Sequence, residues 1–221
     1  MISASRLFAV PEIDFSRPKP AELIWVGKLI ASKNIPFIIR AVARLQSRNW
    51  VLKLCSDGPE RGRLEQLCRE LGIADRTEFL GTVPDLAAQY RRASLLLTGS
   101  KIEQYSLTLM EAYSFGVPCI GMKPDWKTSF NSNEEQIVSG ETGYVVEDEA
   151  DMAARIDYLL AHDDERQQMA RAAYALKQRG FRFESFFQSL NTLLRPAPHD
   201  TQKLDGACGR PAPAGHGQAL L

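Results

Sequence analysis

The chain has 221 residues, 44% of them hydrophobic, with 27 Lys and Arg set against 27 Asp and Glu. That length and apolar content support one sizeable core, and the charge balance excludes the overall basic field of a nucleic-acid binder, so any anion site has to be local. No run reaches the ~18 apolar residues of a membrane span, and the opening MISASRLFAVPEIDFSRP has no apolar leader region, so the reading is a cytoplasmic protein without a transmembrane segment.

From Ala21 onward, short apolar runs alternate with amphipathic stretches. Residues 23–27 (LIWVG) predict a buried strand, 36–45 a helix, 50–55 a strand and 59–71 a helix stopped by Gly72. A strand follows at 77–80, a helix at 85–92, a strand at 94–98, a helix at 106–115 and a strand at 117–121. Residues 123–133 are polar, with Asn131, Ser132 and Asn133 in a row, and predict a surface loop. A last strand at 142–146 precedes helices at 150–162, 164–179 and 183–194. Residues 195–221, rich in Pro, Gly and Ala, have little to bury and predict a disordered tail.

Strands that are apolar throughout, joined by helices long enough for crossovers, imply an α/β fold: a Rossmann-like, doubly wound parallel sheet covered on both faces. Such sheets bind ligands at the carboxyl ends of their strands. The loops there carry Gly27 and Lys28, then Asp57 and Gly58, then Gly81, then Glu103.

These loops carry the candidate chemistry. Lys28 and Lys33, between the first strand and its helix, can reach a phosphate at the sheet edge and balance charge on a departing diphosphate. Gly58 can take a positive φ, Pro59 suits a helix start, and main-chain groups around Val83 can meet a base edge. Glu103 and Glu111 bracket a helix start. Glu111 can accept from both hydroxyls of a ribose, Glu103 lies nearer a sugar, and the N–H groups of Leu107 and Thr108 after Ser106 can bind phosphate.

Cys55, Cys68, Cys119 and Cys208 are scattered, without the spacing of a zinc site or a redox pair, and read as reduced thiols. His162 falls at a helix end; His199 and His216 lie in the tail. No metal or other cofactor is expected.

VGKLIASKN, CSDGPERGRLEQLCRELGIADRTEFLGTVPDLAAQYRRAS, the E-x7-E segment running into EAYSFGVPCIG, and GETGYVVEDEADMAARIDYLL follow one another in order. Together they resemble the C-terminal half of glycosyltransferase family 4, from about residue 8 to residue 194, with residues 1–20 similar to the interdomain linker and 21–194 to the nucleotide-sugar-binding domain. The resemblance implies the GT-B architecture and sugar transfer with retention from a nucleotide-diphosphate sugar, without a metal, to a glycan or lipid-linked acceptor, in cell-surface polysaccharide synthesis. It places Lys28 and Lys33 on the diphosphate, Glu111 on the ribose, Glu103 on the donor sugar, and the backbone after Ser106 on phosphate and sugar. Arginine is usual in the family where Lys28 stands, and glycine is common at Ser56 and Ser106. Because only the donor half has a counterpart here, a separate acceptor-binding domain or a homo-oligomer is the expected partner, and peripheral membrane association fits a lipid-linked acceptor. The alternative is a non-catalytic nucleotide-sugar-binding domain. A dehydrogenase is excluded, since no G-x-G-x-x-G follows the first strand.

Overall fold

Runs of Leu, Ile and Val form the central strands, and most strands are followed by a helix that turns its apolar face back onto the sheet. The computed structural model describes residues 12–15 and 19–180. In chain order the elements are β1 (Glu22–Val26), α1 (Ile35–Val42), β2 (Val51–Cys55), α2 (Arg61–Glu70), β3 (Thr77–Gly81), α3 (Leu86–Arg92), β4 (Leu95–Thr98) and β5 (Ile102–Glu103). There follow α4 (Leu107–Ser114), β6 (Cys119–Met122), β7 (Phe130–Asn131), α5 (Asn133–Gln136), β8 (Gly143–Val146), α6 (Glu149–Ala161) and α7 (Asp163–Gly180). Single 3-10 turns occupy Ala31–Lys33 and Ala74–Arg76.

Six strands form one parallel sheet in the order β3-β2-β1-β4-β6-β8. The order reverses direction between β1 and β4, which is the topological switch point of a doubly wound sheet. Successive residues of β1 point to opposite faces. Leu23 and Trp25 join the cluster that holds Ile38, Leu64 and Ile156, whereas Ile24 joins Tyr90, Leu109, Tyr113 and Ala173 on the other face. Helices α1, α2 and α6 therefore cover one side and α3, α4 and α7 the other.

The predicted elements recur with ends moved by a few residues, but residues 123–133 are not a plain surface loop. Within them, β7 pairs in parallel with β5, a second two-stranded sheet absent from the sequence reading. Asn131 and Asn133 are 2% and 1% exposed. Their side chains donate to the carbonyls of Ser100 (2.9 Å) and Met122 (3.2 and 2.7 Å). The physical reason is that carbonyls at buried strand ends need donors, and a carboxamide supplies them where the ladder stops. The predicted helix at 183–194, the tail at 195–221, most of residues 1–20, Cys208, His199 and His216 lie outside the described residues.

Candidate functional site

At the switch point a cavity of about 240 Å³ opens between the ends of β1 and β4, and its wall includes Gly27, Lys33, Glu103, Leu107 and Thr108. Gly27 has φ +147°, a conformation that strains an L side chain, so this turn favours glycine, although a Cβ there would meet the Trp25 ring at an ordinary 3.4 Å. The loops after β1 and β4 are locked together: Lys101 N–H donates to Ser32 O at 2.8 Å, and a Cβ on Gly99 would stand 3.0 Å from Asn34 O. That interlock brings Lys33 and Glu103 into an ion pair, Nζ to Oε2, with each side chain about one quarter exposed. Lys28, earlier in the same loop, is exposed and forms no part of the cavity wall.

The start of α4 forms the opposite wall. Ser106 caps the helix, its Oγ accepting from Leu109 N–H at 3.3 Å. Its main chain is gripped by Gln136, which accepts from Ser106 N–H at 2.8 Å and donates to Ser106 O at 3.3 Å. The next two N–H groups, of Leu107 and Thr108, have no acceptor among the described residues, as expected for the first turn of a helix.

Glu111 stands one turn further along α4 and does not line the cavity. Its Oε2 accepts from the Tyr90 hydroxyl at 3.0 Å, and that hydroxyl also lies 3.3 Å from Thr108 O. Among the described residues Glu111 is linked to the cavity wall through the Tyr90 hydroxyl and the turn that bears Thr108, with no hydrogen bond or ion pair to Glu103, Lys28 or Lys33. Burial pushes its carboxyl above the ordinary value, against the opposing pulls of the Tyr90 hydrogen bond and the Lys177 charge. Tyr90 is fully buried, stacks on Phe115 at 5.5 Å, and burial with the Glu111 charge drives its phenol well up.

Gly58 is needed for a reason other than the one read from sequence: its φ is not positive. A Cβ there would lie 2.4 Å from Leu29 O, because the loop after β2 grips the loop after β1 through Leu29 N–H to Asp57 O and Glu60 N–H to Leu29 O, both 3.1 Å. Pro59 lies in the turn before α2 rather than in its first position. Val83 is half-buried and packs against the cluster that contains Tyr90.

A larger cavity, about 630 Å³, adjoins the first and shares Glu103 and Tyr105 with it. Trp126, Phe130 and Leu176 form much of its wall, and Gln136 and Asn131 lie in its floor. The sequence reading missed this chamber together with Tyr90, Tyr105, Gln136 and the two buried asparagines. The available signal was an aromatic pair, Trp126 and Phe130, in an otherwise polar run.

The thiols of Cys55 and Cys119 are buried and burial pushes both up, Cys55 to about 12, so they remain protonated packing groups. His162 ends α6, with Nδ1 2.8 Å from Tyr158 O, and lines neither chamber.

Among solved structures, the fold matches Anabaena HepE in complex with UDP (TM-score 0.71, 19% identity, 80% of this chain and 49% of that one). It also matches pneumococcal O-GlcNAc transferase GtfA in complex with UDP and GlcNAc (TM-score 0.67, 23% identity, 80% and 37%). These likenesses place the fold as the Rossmann-like C-terminal half of the GT-B architecture. In sequence, the chain is 30% identical over 174 residues to N-acetyl-alpha-D-glucosaminyl L-malate synthase of Bacillus anthracis, covering 77% of this chain and 44% of that protein. It is 28% identical over 176 residues to an alpha-1,4-N-acetyl-D-galactosaminyltransferase of Campylobacter jejuni that acts on a diNAcBac-PP-undecaprenol glycan, covering 77% and 46%. The chain thus spans less than half the length of these curated relatives. Residues 10–176 match the family model for glycosyl transferases group 1, and the chain belongs to that family.

Proposed function

We propose that this chain is the donor-binding half of a retaining glycosyltransferase of the family 4 type, taking a nucleotide-diphosphate sugar and passing its sugar to a glycan or lipid-linked acceptor. The observation that carries the reading is the Lys33 and Glu103 ion pair in the wall of a switch-point cavity whose other wall is the open N–H turn of α4. UDP in the structures of HepE and GtfA, which share this fold, supports a nucleotide ligand.

In the proposed complex the diphosphate lies against the N–H groups of Leu107 and Thr108, and Lys33 and Lys28 balance its charge. Glu103 accepts from donor-sugar hydroxyls and Glu111 from the ribose diol. The acceptor hydroxyl attacks the anomeric carbon on the face from which the diphosphate leaves. Its oxygen forms the new glycosidic bond, the bond to the diphosphate oxygen breaks, and that oxygen takes up the hydroxyl proton. Charge stabilisation falls to lysines and main-chain donors, with no metal step and no cofactor.

No histidine lines either chamber among the described residues, which favours a second reading: a nucleotide-sugar-binding domain that transfers nothing until a separate acceptor domain, or a second copy of the chain, completes the site. Calorimetric titration with UDP- and GDP-sugars beside a transfer assay tests both readings. Binding with turnover supports the enzyme, binding without turnover supports the domain awaiting a partner, and absence of binding overturns both.

A further inference from the structure

We infer that the 630 Å³ chamber beside Glu103 is a saccharide subsite that receives a sugar ring of the acceptor. This deepens the donor reading above and rests on it. Three features carry the inference.

The first is continuity. Glu103 and Tyr105 belong to both chambers, so the two form one cleft, and an occupant of the larger chamber abuts whatever Glu103 holds in the smaller. A sugar transfer needs its second substrate at that junction, and the larger chamber is the space that opens there.

The second is the presentation of aromatic surface. Trp126 is 54% exposed and Phe130 49%, their rings lying edge to face with centroids 6.2 Å apart. The backbone at Trp126 sits in the left-handed region, φ +57°, a conformation that costs a non-glycine residue free energy and persists only when its surroundings over-determine it. Here Asp125 over-determines it. Its Oδ1 accepts from the N–H groups of Lys127 (2.8 Å), Thr128 (2.7 Å) and Ser129 (2.8 Å), and Trp126 N–H donates to Ser129 O at 3.0 Å. Four hydrogen bonds, from the Thr128 hydroxyl foremost and from the N–H groups of Lys127, Thr128 and Ser129, hold the Asp125 carboxyl well below the ordinary range. A tightly bonded turn therefore holds a large indole in water instead of burying it. The turn is anchored to the cleft, because β7, which begins at Phe130, pairs with β5, which ends at Glu103.

The third is the mixture of groups, which selects the occupant. The wall combines the rings with Gln104, Ser132 and Glu135. A pyranose presents a C–H face of positive edge character to a ring's negative π face while its hydroxyls turn to carboxamide and carboxylate. The Ser132 hydroxyl already donates to Gln136 at 2.6 Å, but an alkyl chain laid over the exposed Gln104 and Glu135 would cover them without bonding them, which costs free energy. Rings for stacking beside Gln104 and Glu135 for hydroxyls fit a carbohydrate, and because Met110 and Leu176 also line the wall an alkyl probe is the necessary control.

The chain carries its own reporter. Of its three tryptophans, Trp25 and Trp50 are buried, and only Trp126 stands in the chamber. The full chain is titrated with free trisaccharides of glucose, galactose and N-acetylglucosamine, with UDP present, while tryptophan emission is followed; n-decyl phosphate serves as the alkyl probe. The expected result is a saturable change with at least one trisaccharide and none with decyl phosphate. That change should weaken about fivefold in affinity in Phe130→Ala and vanish in Trp126→Leu, while calorimetric UDP affinity stays at the wild-type value in both. Retained UDP binding also certifies that the variants fold. A flat response to all three sugars, a response to decyl phosphate alone, or a sugar response indifferent to Phe130→Ala overturns the subsite. Loss of UDP and UDP-sugar binding in the wild-type chain would instead overturn the donor reading, so the two failures are separable.

Discussion

The two ends of the same parallel sheet use charge in opposite ways. At the amino end, Glu22 opens β1 almost fully buried and is closed in by Lys53 (2.8 Å) and by Arg92, whose Nε lies 3.1 and 3.2 Å from its two oxygens. Ser94 beside it donates to Pro20 O at 2.6 Å and accepts from Arg166 at 2.9 Å. At the carboxyl end, Lys28 is exposed, two N–H groups of α4 have no acceptor among the described residues, and burial raises Glu111 by more than Tyr90 and Lys177 lower it. At one end the buried carboxylate is closed in by cations of the protein itself, and among the described residues it is Lys19 Nζ and Arg166 Nε there that lie buried without a hydrogen-bond partner; at the other, the ion pair of Lys33 and Glu103 is internal but Lys28 and the first turn of α4 are left open. The difference teaches that charged residues at strand ends are separated into structural and binding roles by what surrounds them, not by residue type.

The comparison breaks most sharply if the carboxyl end also proves structural. Replacing Lys28 and Lys33 together by alanine is expected to weaken a nucleotide-diphosphate sugar by about 3 kcal/mol, the worth of two charge-assisted hydrogen bonds after solvent screening, with little loss for the bare nucleoside. Calorimetry with both ligands checks it, and equal losses would place the lysines away from the diphosphate. Glu22→Ala should do the reverse. Removing one member of a buried ion cluster costs 3–5 kcal/mol when the partners stay buried, but most of the Arg92 side chain is already in water, so about 2 kcal/mol of unfolding free energy is expected. Nucleotide affinity should stay within about twofold, as for distant independent sites. Chemical denaturation and calorimetry on one sample decide the matter.

Glu111→Ala is the next step down, with an expected loss of about 1–2 kcal/mol in nucleotide affinity. Tyr90→Phe sharpens it, since Phe keeps the packing on Phe115 but removes the hydroxyl that holds Glu111 Oε2. A loss near 1 kcal/mol with an intact near-ultraviolet spectrum would make Tyr90 a positioning residue, whereas unchanged affinity would assign its hydroxyl to packing alone.

Much of this arrangement was legible in the sequence, for physical reasons that also mark the boundary. A strand covered on both faces cannot alternate polar and apolar residues, so LIWV and SLLLT read as buried parallel strands without any knowledge of their neighbours. Because the sheet reverses between β1 and β4, the residues after those strands face one crevice, and the loops of Lys33 and Glu103 could be placed there in advance, whereas their ion pair was not read. Asn131 and Asn133 could not be read, because composition reports that a side chain is polar, not that buried strand-end carbonyls await it. Gly58 was assigned to the right loop for the wrong reason: flexibility and close approach leave the same letter, and only the 2.4 Å clash with Leu29 O separates them. Glu111 was assigned to a ribose from the sequence, whereas its hydrogen bond with Tyr90, twenty-one residues away, is a link that nothing local in the sequence indicates.

The smallest effect tests the comparison by sign. Burial acts to raise Glu22, but the hydrogen bonds from Arg92 and Lys53 outweigh it and hold the carboxyl below its ordinary value. The native state therefore binds its proton less readily than the unfolded chain does, so its stabilisation is present above the ordinary carboxylate value and is lost as pH falls through the lowered folded value. Glu111 is shifted the other way, by burial first, so in the window between the ordinary value and its raised one the native state holds more protons than the unfolded chain and stability falls as pH rises. Glu22→Gln should therefore be less stable than wild type at neutral pH, with the gap closing in acid. Glu111→Gln, whose carbonyl can still accept from Tyr90, should be at least as stable as wild type at neutral pH, with the advantage disappearing in acid while nucleotide affinity is reduced. Denaturation midpoints of the two variants against wild type across the acid limb measure both slopes. Slopes of the same sign would mean that Glu111 is held by its partners as Glu22 is, and the contrast between a closed and an open carboxylate would fail.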